Sequence, residues 1–291
     1  SAMNTQTITP NTARKREAAA AAAADKPVRD HTLALTLSYN GAPFSGFARQ
    51  PGQTTVQGDL EDALRMLFRR DVETTCAGRT DAGVHATHQV VSFASEAKRA
   101  PEGWVRGVNA FLPKTVAVRW ARCVPEDFHA RFSARSRTYE YWISNDPVRS
   151  PLLETTTGWV FRPLDEEKMR EGAKALLGVH DFTSFRAAEC QAKTPVREVT
   201  ELSIIRQGSL IGIRISANAF LQHMVRNIVG ALIYVGTGRE APGWIAEVLA
   251  ARSREVSAPT FSPCGLYLTG VGYPENPELP QQGRSPFFGQ F

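Results

Sequence analysis

From Thr32 to Tyr273 the chain keeps switching between two hydrophobic periods, and that alternation limits its architecture more than any other feature. Leu33, Leu35, Leu37 and Tyr39 interleave with Thr32, Ala34, Thr36 and Ser38, a period of two that fits a strand with one apolar face. After the Asn40-Gly41 turn, Thr54-Thr55-Val56-Gln57 reads as a capping box, with Thr54 at the N-cap and Gln57 at N3. Val56, Leu60, Ala63, Leu64, Leu67 and Phe68 then share one helical stripe. A strand at 89–94, a helix at 101–110 with Pro101 near its start, and a short strand at 116–120 complete the first half. The second half opens with a strand at 138–144, and Asp165 then caps a helix carrying Met169, Ala173, Leu176 and Leu177 that Gly178 closes. Strands at 199–206 and 210–216 flank Gln207-Gly208, a long helix covers 219–235, another starts at Pro242, and the last strand covers 265–273.

This alternation, with hairpins mixed in, predicts an α/β (α+β) fold. It consists of two similar lobes, each a mixed or antiparallel sheet with helices, with a catalytic cleft between them. The break falls within 125–137, which gives an N-terminal lobe at 28–130, a C-terminal lobe at 131–275 and a loop-like tail at 276–291. Residues 1–27 read as a disordered arm, a tag-like Ser1-Ala2-Met3 followed by a basic and then polyalanine stretch with no amphipathic face. A net charge of +5 leans toward a polyanionic partner. The charge is concentrated: His129, Arg131, Arg135 and Arg137 precede Tyr139, Tyr141 and Trp142. That run suits phosphate contact with base stacking, or a solvated strand edge. Cysteines at 76, 123, 190 and 264 are scattered without a CxxC pair, so no metal site is expected. No signal-peptide pattern and no membrane-length apolar run stand out, which points to a cytoplasmic chain with reduced thiols and no membrane partner.

The run Cys76-Ala77-Gly78-Arg79-Thr80-Asp81-Ala82-Gly83-Val84-His85 places a carboxylate on a glycine-bracketed loop just before a strand. Such a lip position suits chemistry, although Asp and Gly also serve ordinary turns. No second carboxylate lies nearby and no His/Cys/Asp cluster surrounds it, which leaves nucleophile or general base for Asp81. Arg79 could fill the space of an extruded base, grip a phosphate, or simply bond loop carbonyls. Arg226 interrupts the apolar helix Leu221, Val225, Ile228, Val229, Leu232. It either faces water, as periodicity alone favours, or pairs with Asp81 across the lobes and holds it ionised. Tyr139 could stack on a nucleobase or pack in the core, and Leu266 reads as core. His85 and His88 read as residues that orient the loop.

Several stretches together resemble the tRNA pseudouridine synthase A family: CAGRTDAGVHATHQVVSF (76–93), GVNAFLP (107–113), DFHARFSARSRTYEYWI (127–143), DFTSFR (181–186), NAFLQHMVRNIVG (218–230) and GLYL (265–268). The resemblance spans about 28–275 and implies an isomerase that converts uridines 38–40 of the tRNA anticodon stem-loop to pseudouridine. It implies no cofactor and a homodimer that binds tRNA. Asp81 takes the family's catalytic nucleophile position, Arg79 the base-flipping arginine, Tyr139 the stacking tyrosine, Arg226 the partner of the carboxylate and Leu266 an apolar pocket wall. Attack at C1′, attack at C6 and abstraction of the C2′ proton all remain open. Phe47-Ala48 stands where the family often has Trp and Gln, in a loop expected to touch RNA. The alternatives are a non-catalytic RNA-binding protein on the same fold, an Asp-dependent nucleoside hydrolase, and a synthase acting on other RNA sites.

Overall fold

The computed structural model describes residues 31–95, 101–287, 289 and 291, and the expected N-terminal arm, residues 1–27, lies outside them. In chain order the elements are β1 (His31–Tyr39), α1 (Val56–Phe68), β2 (Thr75–Cys76), β3 (His85–Ser95), α2 (Pro101–Asn109), β4 (Val116–Val124) and β5 (Ser136–Asn145). There follow β6 (Gly158–Val160), α3 (Glu166–Ala173), β7 (Gly178–Asp181), β8 (Val196–Gln207), β9 (Leu210–Ala217), α4 (Met224–Gly236), α5 (Trp244–Ala251) and β10 (Leu266–Gly272).

The strands join in one ten-stranded sheet of order β4-β1-β3-β10-β5-β9-β8-β7, with β2 on β3 and β6 on β5. Only β10·β3 and β5·β6 are parallel pairings, so the sheet is mixed. The last strand closes the middle: β10 lies between β3 of the first half and β5 of the second, with Tyr267 opposite His85 and Leu266 opposite Tyr141. Two apolar cores sit on either side of this seam. Leu33, Leu35, Leu60 and Trp104 belong to the first, and Ile213, Ile228, Leu232 and Phe185 to the second. β10 feeds both, Leu268 and Val271 into the first and Leu266 into the second. Tyr139 packs against both cores, which places it on the seam itself.

Several local expectations are corrected. The polar side of β1 is also covered, since Thr32, Ala34 and Thr36 are buried along with the leucines. Alternation in sequence marks a strand, but not which faces the finished sheet leaves wet. The cap of α1 is Thr55 rather than Thr54: its hydroxyl accepts from Gly58 N at 3.1 Å. Gln57 instead bonds Thr74 O and receives Arg49 N, so it fastens the preceding loop rather than the helix end. The helix expected from 219 begins at Met224. The tail is not a free loop. Gly283 N bonds Thr269 O at 2.8 Å, Ser285 bonds the buried Glu140 at 2.7 Å, and Phe287 lies edge-on to Trp142.

Candidate active site

Asp81 sits on the loop between β2 and β3, at the centre of the sheet, and many neighbours fix that loop. Ala77 N bonds Val90 O, Phe47 N bonds Thr80 O, and Val84 N closes a turn onto Asp81 O. The buried Tyr39 hydroxyl meets Thr80 Oγ1 at 2.8 Å. Gln89 donates to Gly78 O at 2.6 Å and Arg137 to Ala77 O at 3.1 Å. Two glycines are required by geometry. Gly83 has φ +82°, and Gly46 has φ +85° with its α-carbon so near the loop that an added Cβ would lie 3.1 Å from Thr80 O. Phe47 is buried against Tyr39, so in this chain it supports the loop from beneath. His85 ends the loop. Its Nδ1 accepts from Gly41 N at 2.8 Å, while Nε2 faces Thr155 O at 2.8 Å and Cys264 O at 2.9 Å.

Arg226 does not face water. Its Nε donates to Phe261 O at 2.8 Å and its Nη1 to Asp81 Oδ2 at 3.1 Å, with side-chain exposures of 14% for the arginine and 35% for the aspartate. A guanidinium in an apolar helix finds its anion because an unpaired charge there would be costly. The carbonyl that aims it is held in turn. Thr260 donates to Asn227 Oδ1 at 2.6 Å, and the fully buried Asn227 also takes Arg254 and donates to Phe185 O. Thus α4, the 254–261 segment and the Asp81 loop meet at one carboxylate.

The sequence did not mark His223, and the structure places its Nε2 3.4 Å from the same Oδ2. Its backbone is left-handed, φ +62° and ψ +7°, just before α4. A non-glycine residue held there costs about 1–2 kcal/mol, and such strain collects at functional sites. The available signal was its place one residue before the helix and three before Arg226. Arg226 and His223 both converge on Oδ2, and Oδ1 accepts no hydrogen bond from any described residue.

Tyr139, on β5, lies edge-on to Phe220 at 5.1 Å and its hydroxyl faces Gly78, where an added Cβ would stand 3.6 Å away. Burial holds that hydroxyl protonated far above the usual phenol range, with Arg137 pulling down and Asp81 pushing up. Arg79 is exposed and no described residue bonds its guanidinium, whereas Arg137 takes the role of bonding a loop carbonyl. Leu266 is buried in the second core at the start of β10. Burial pushes the nearby Cys76 thiol up to about 11, so it is protonated at neutral pH and no rival to the carboxylate. Among the described residues no group of three or more His, Cys, Asp or Glu side chains is arranged to hold a metal ion, and no helix is long and apolar enough to cross a membrane.

The chain is similar to proteins of known family. A family model described as tRNA pseudouridine synthase matches residues 36–133 and 173–274. A protein of Herminiimonas arsenicoxydans named tRNA pseudouridine synthase A is 54% identical, over 87% of this chain and 94% of its own length. Proteins of the same name from Paraburkholderia phytofirmans (52% identical, 88% and 95% covered) and Ralstonia nicotianae (54%, 85% and 92%) match as broadly. With a family model covering both cores and relatives matched almost end to end, the chain belongs to the tRNA pseudouridine synthase family.

Proposed function

We propose that this protein isomerises uridines 38–40 of the tRNA anticodon stem-loop to pseudouridine, with Asp81 as the nucleophile. The observation that carries the assignment is the asymmetric hold on the carboxylate. Arg226 and His223 both engage Oδ2, which leaves Oδ1 bare to meet a substrate. Arg226 holds Oδ2 by a hydrogen bond with the His223 ring close beside it, which orients the other oxygen, the kind of preorganisation a nucleophile needs. In the reaction the C1′–N1 bond breaks, the uracil turns, and a C5–C1′ bond forms while the C5 proton leaves to solvent and N1 regains one. The target must first leave its stack, at a cost of a few kcal/mol. Arg79, whose guanidinium no described residue bonds, is placed to take the vacated space. Tyr139 offers a ring to the flipped base, and Leu266 supplies an apolar wall. The protein works as a cytoplasmic homodimer on tRNA, without a cofactor.

The test uses tRNA lacking pseudouridine and tritiated at uracil C5. Wild-type protein releases tritium stoichiometrically with the modified sites, and Asp81→Asn releases none above background while still binding the tRNA. Release by the Asn variant at the wild-type rate would remove Asp81 from the chemistry. Binding without release by the wild type would instead favour the non-catalytic RNA-binding alternative.

A further inference from the structure

The basic and aromatic run at 129–142 divides its labour in an unexpected way. Tyr141 and Trp142 are fully buried, and Arg137 is spent on the carbonyls of Ala77, Arg131 and Asn218. Arg135 pairs with Glu275 at 3.2 Å. The ring left in water is Phe132, 69% exposed.

Phe132 is exposed but not loose. The His129 ring stacks on it, centroids 4.2 Å apart and planes 22° apart. His129 Nδ1 accepts from Arg131 N at 3.2 Å and Phe132 N at 3.1 Å, Ser133 N bonds His129 O, and Ser133 Oγ accepts from His129 N at 3.0 Å. Arg135 Nη1 then clamps Phe132 O at 2.8 Å. A loop so thoroughly bonded to itself presents the ring in one orientation, with an aromatic backing on one side. The Arg131 guanidinium lies over the ring, 5.7 Å from its centroid, and no described carboxylate pairs with it. Arg137 ties this loop to the catalytic loop by donating from one nitrogen to both Arg131 O and Ala77 O.

We propose that Phe132 is a stacking platform for one unpaired base of the RNA substrate, with Arg131 facing the phosphate beside it. The proposal rests on the tRNA reading above. Aromatic faces among free cations are how proteins hold unpaired nucleotides, because every base has a π-face and every linkage a charge. An apolar protein partner fits less well: Phe132 is a lone ring between arginines, not part of a contiguous apolar patch. Preorganisation by His129 lowers the ordering cost of binding.

Phe132→Ala, Phe132→Leu and Phe132→Trp in the full chain test it. The readouts are Kd for unmodified tRNA at fixed salt, KM and kcat for tritium release, melting temperature and solution mass. Stacking on an aromatic implies a loss of roughly 5- to 100-fold in Kd for the Ala and Leu variants, seen in KM more than in kcat. Trp restores binding, and its fluorescence is quenched when tRNA is added. A perfectly paired RNA duplex binds all three variants like the wild type. Arg131→Ala lowers the slope of log K against log salt by about one. Wild-type Kd in Phe132→Ala overturns the proposal. So does full rescue by Leu, which would mean apolar area rather than stacking, or a change of oligomeric mass, which would mean that a second copy covers the ring. Each of these outcomes leaves the tritium assay of the wild type intact, so failure of the platform is separable from failure of the functional reading.

Discussion

At the scale of single residues, Asp81 is informative for what it lacks as well as for what it touches. Its Oδ2 meets Arg226 at 3.1 Å and His223 at 3.4 Å, and Oδ1 is bare. His223 reaches that position only with a left-handed backbone, so stability and function make opposite demands on this residue. Glycine at 223 would relieve a conformational cost of about 1–2 kcal/mol while adding about 0.5–1 kcal/mol of unfolded-state entropy. The folded protein should then be as stable as the wild type or more so. Removing the ring that sits 3.4 Å from the carboxylate should slow turnover roughly tenfold, the low end of what a polar neighbour of a charged group is worth. His223→Gly should therefore melt at the same or a higher temperature and turn over about ten times more slowly in a single-turnover assay. A lower melting temperature with unchanged turnover would assign His223 a structural role instead. The sequence singled out Asp81, and it flagged Arg226 as a charge in an apolar stripe, although periodicity alone favoured a solvent-facing side chain and only the structure shows the pairing. It did not expose His223, whose one signal, a place three residues before Arg226, lay in a stretch that read as continuous helix, so its left-handed backbone was hidden.

At the scale of elements, periodicity located the helices and the longer strands, missed the short β2, β6 and β7, and misplaced ends, as where Gly178, expected to close α3, instead begins β7. Thr54 and Thr55 are adjacent hydroxyl residues with equal claim to cap α1, and sequence cannot tell which adopts extended backbone and reaches back to the helix. The structure decides for Thr55, whose φ is −128° and whose side chain is buried. Thr55→Ala should cost about 1 kcal/mol, while Thr54→Ala, at an exposed position, should stay within about 0.5 kcal/mol. Urea melts of the two variants compare them directly, and equal losses would put the cap in the wrong place. The late start of α4 has a physical cause too. Ala187 N takes the carbonyl of Gln222, and Met224 N that of Leu221, so residues 219–223 are held as a loop that delivers His223 and Phe220 to the site. Helical periodicity ran through that stretch because the same apolar side chains serve the core either way.

At the scale of the molecule, the alternating pattern announced two halves but not how they are joined. Pairing β10 between β3 and β5 is a contact across more than a hundred residues, which no local signal carries. His85 is the fastener at this join. It links Gly41, at the end of β1, to Thr155 and Cys264 from the second half, and stacks on Tyr267 of β10. Burial lowers its proton affinity below the ordinary histidine value, against the smaller opposing effect of the Cys264 and Thr155 carbonyls, and burial lowers that of His88 as well. In the window below the unfolded value, about 6.5, the unfolded chain then binds more protons than the native one. Stability must therefore be complete above that pH and fall as the pH drops through the window toward the depressed native values. The fall should flatten below them, where carboxylates take over. The melting temperature should hold steady from pH 8 to 7 and decline as the pH drops below about 6.5. His85→Gln, which cannot titrate, should melt lower throughout because it loses a buried three-way contact, yet decline less steeply over the same window. A variant slope equal to that of the wild type would show that the proton uptake arises elsewhere, and that the join between the halves is not where acid acts.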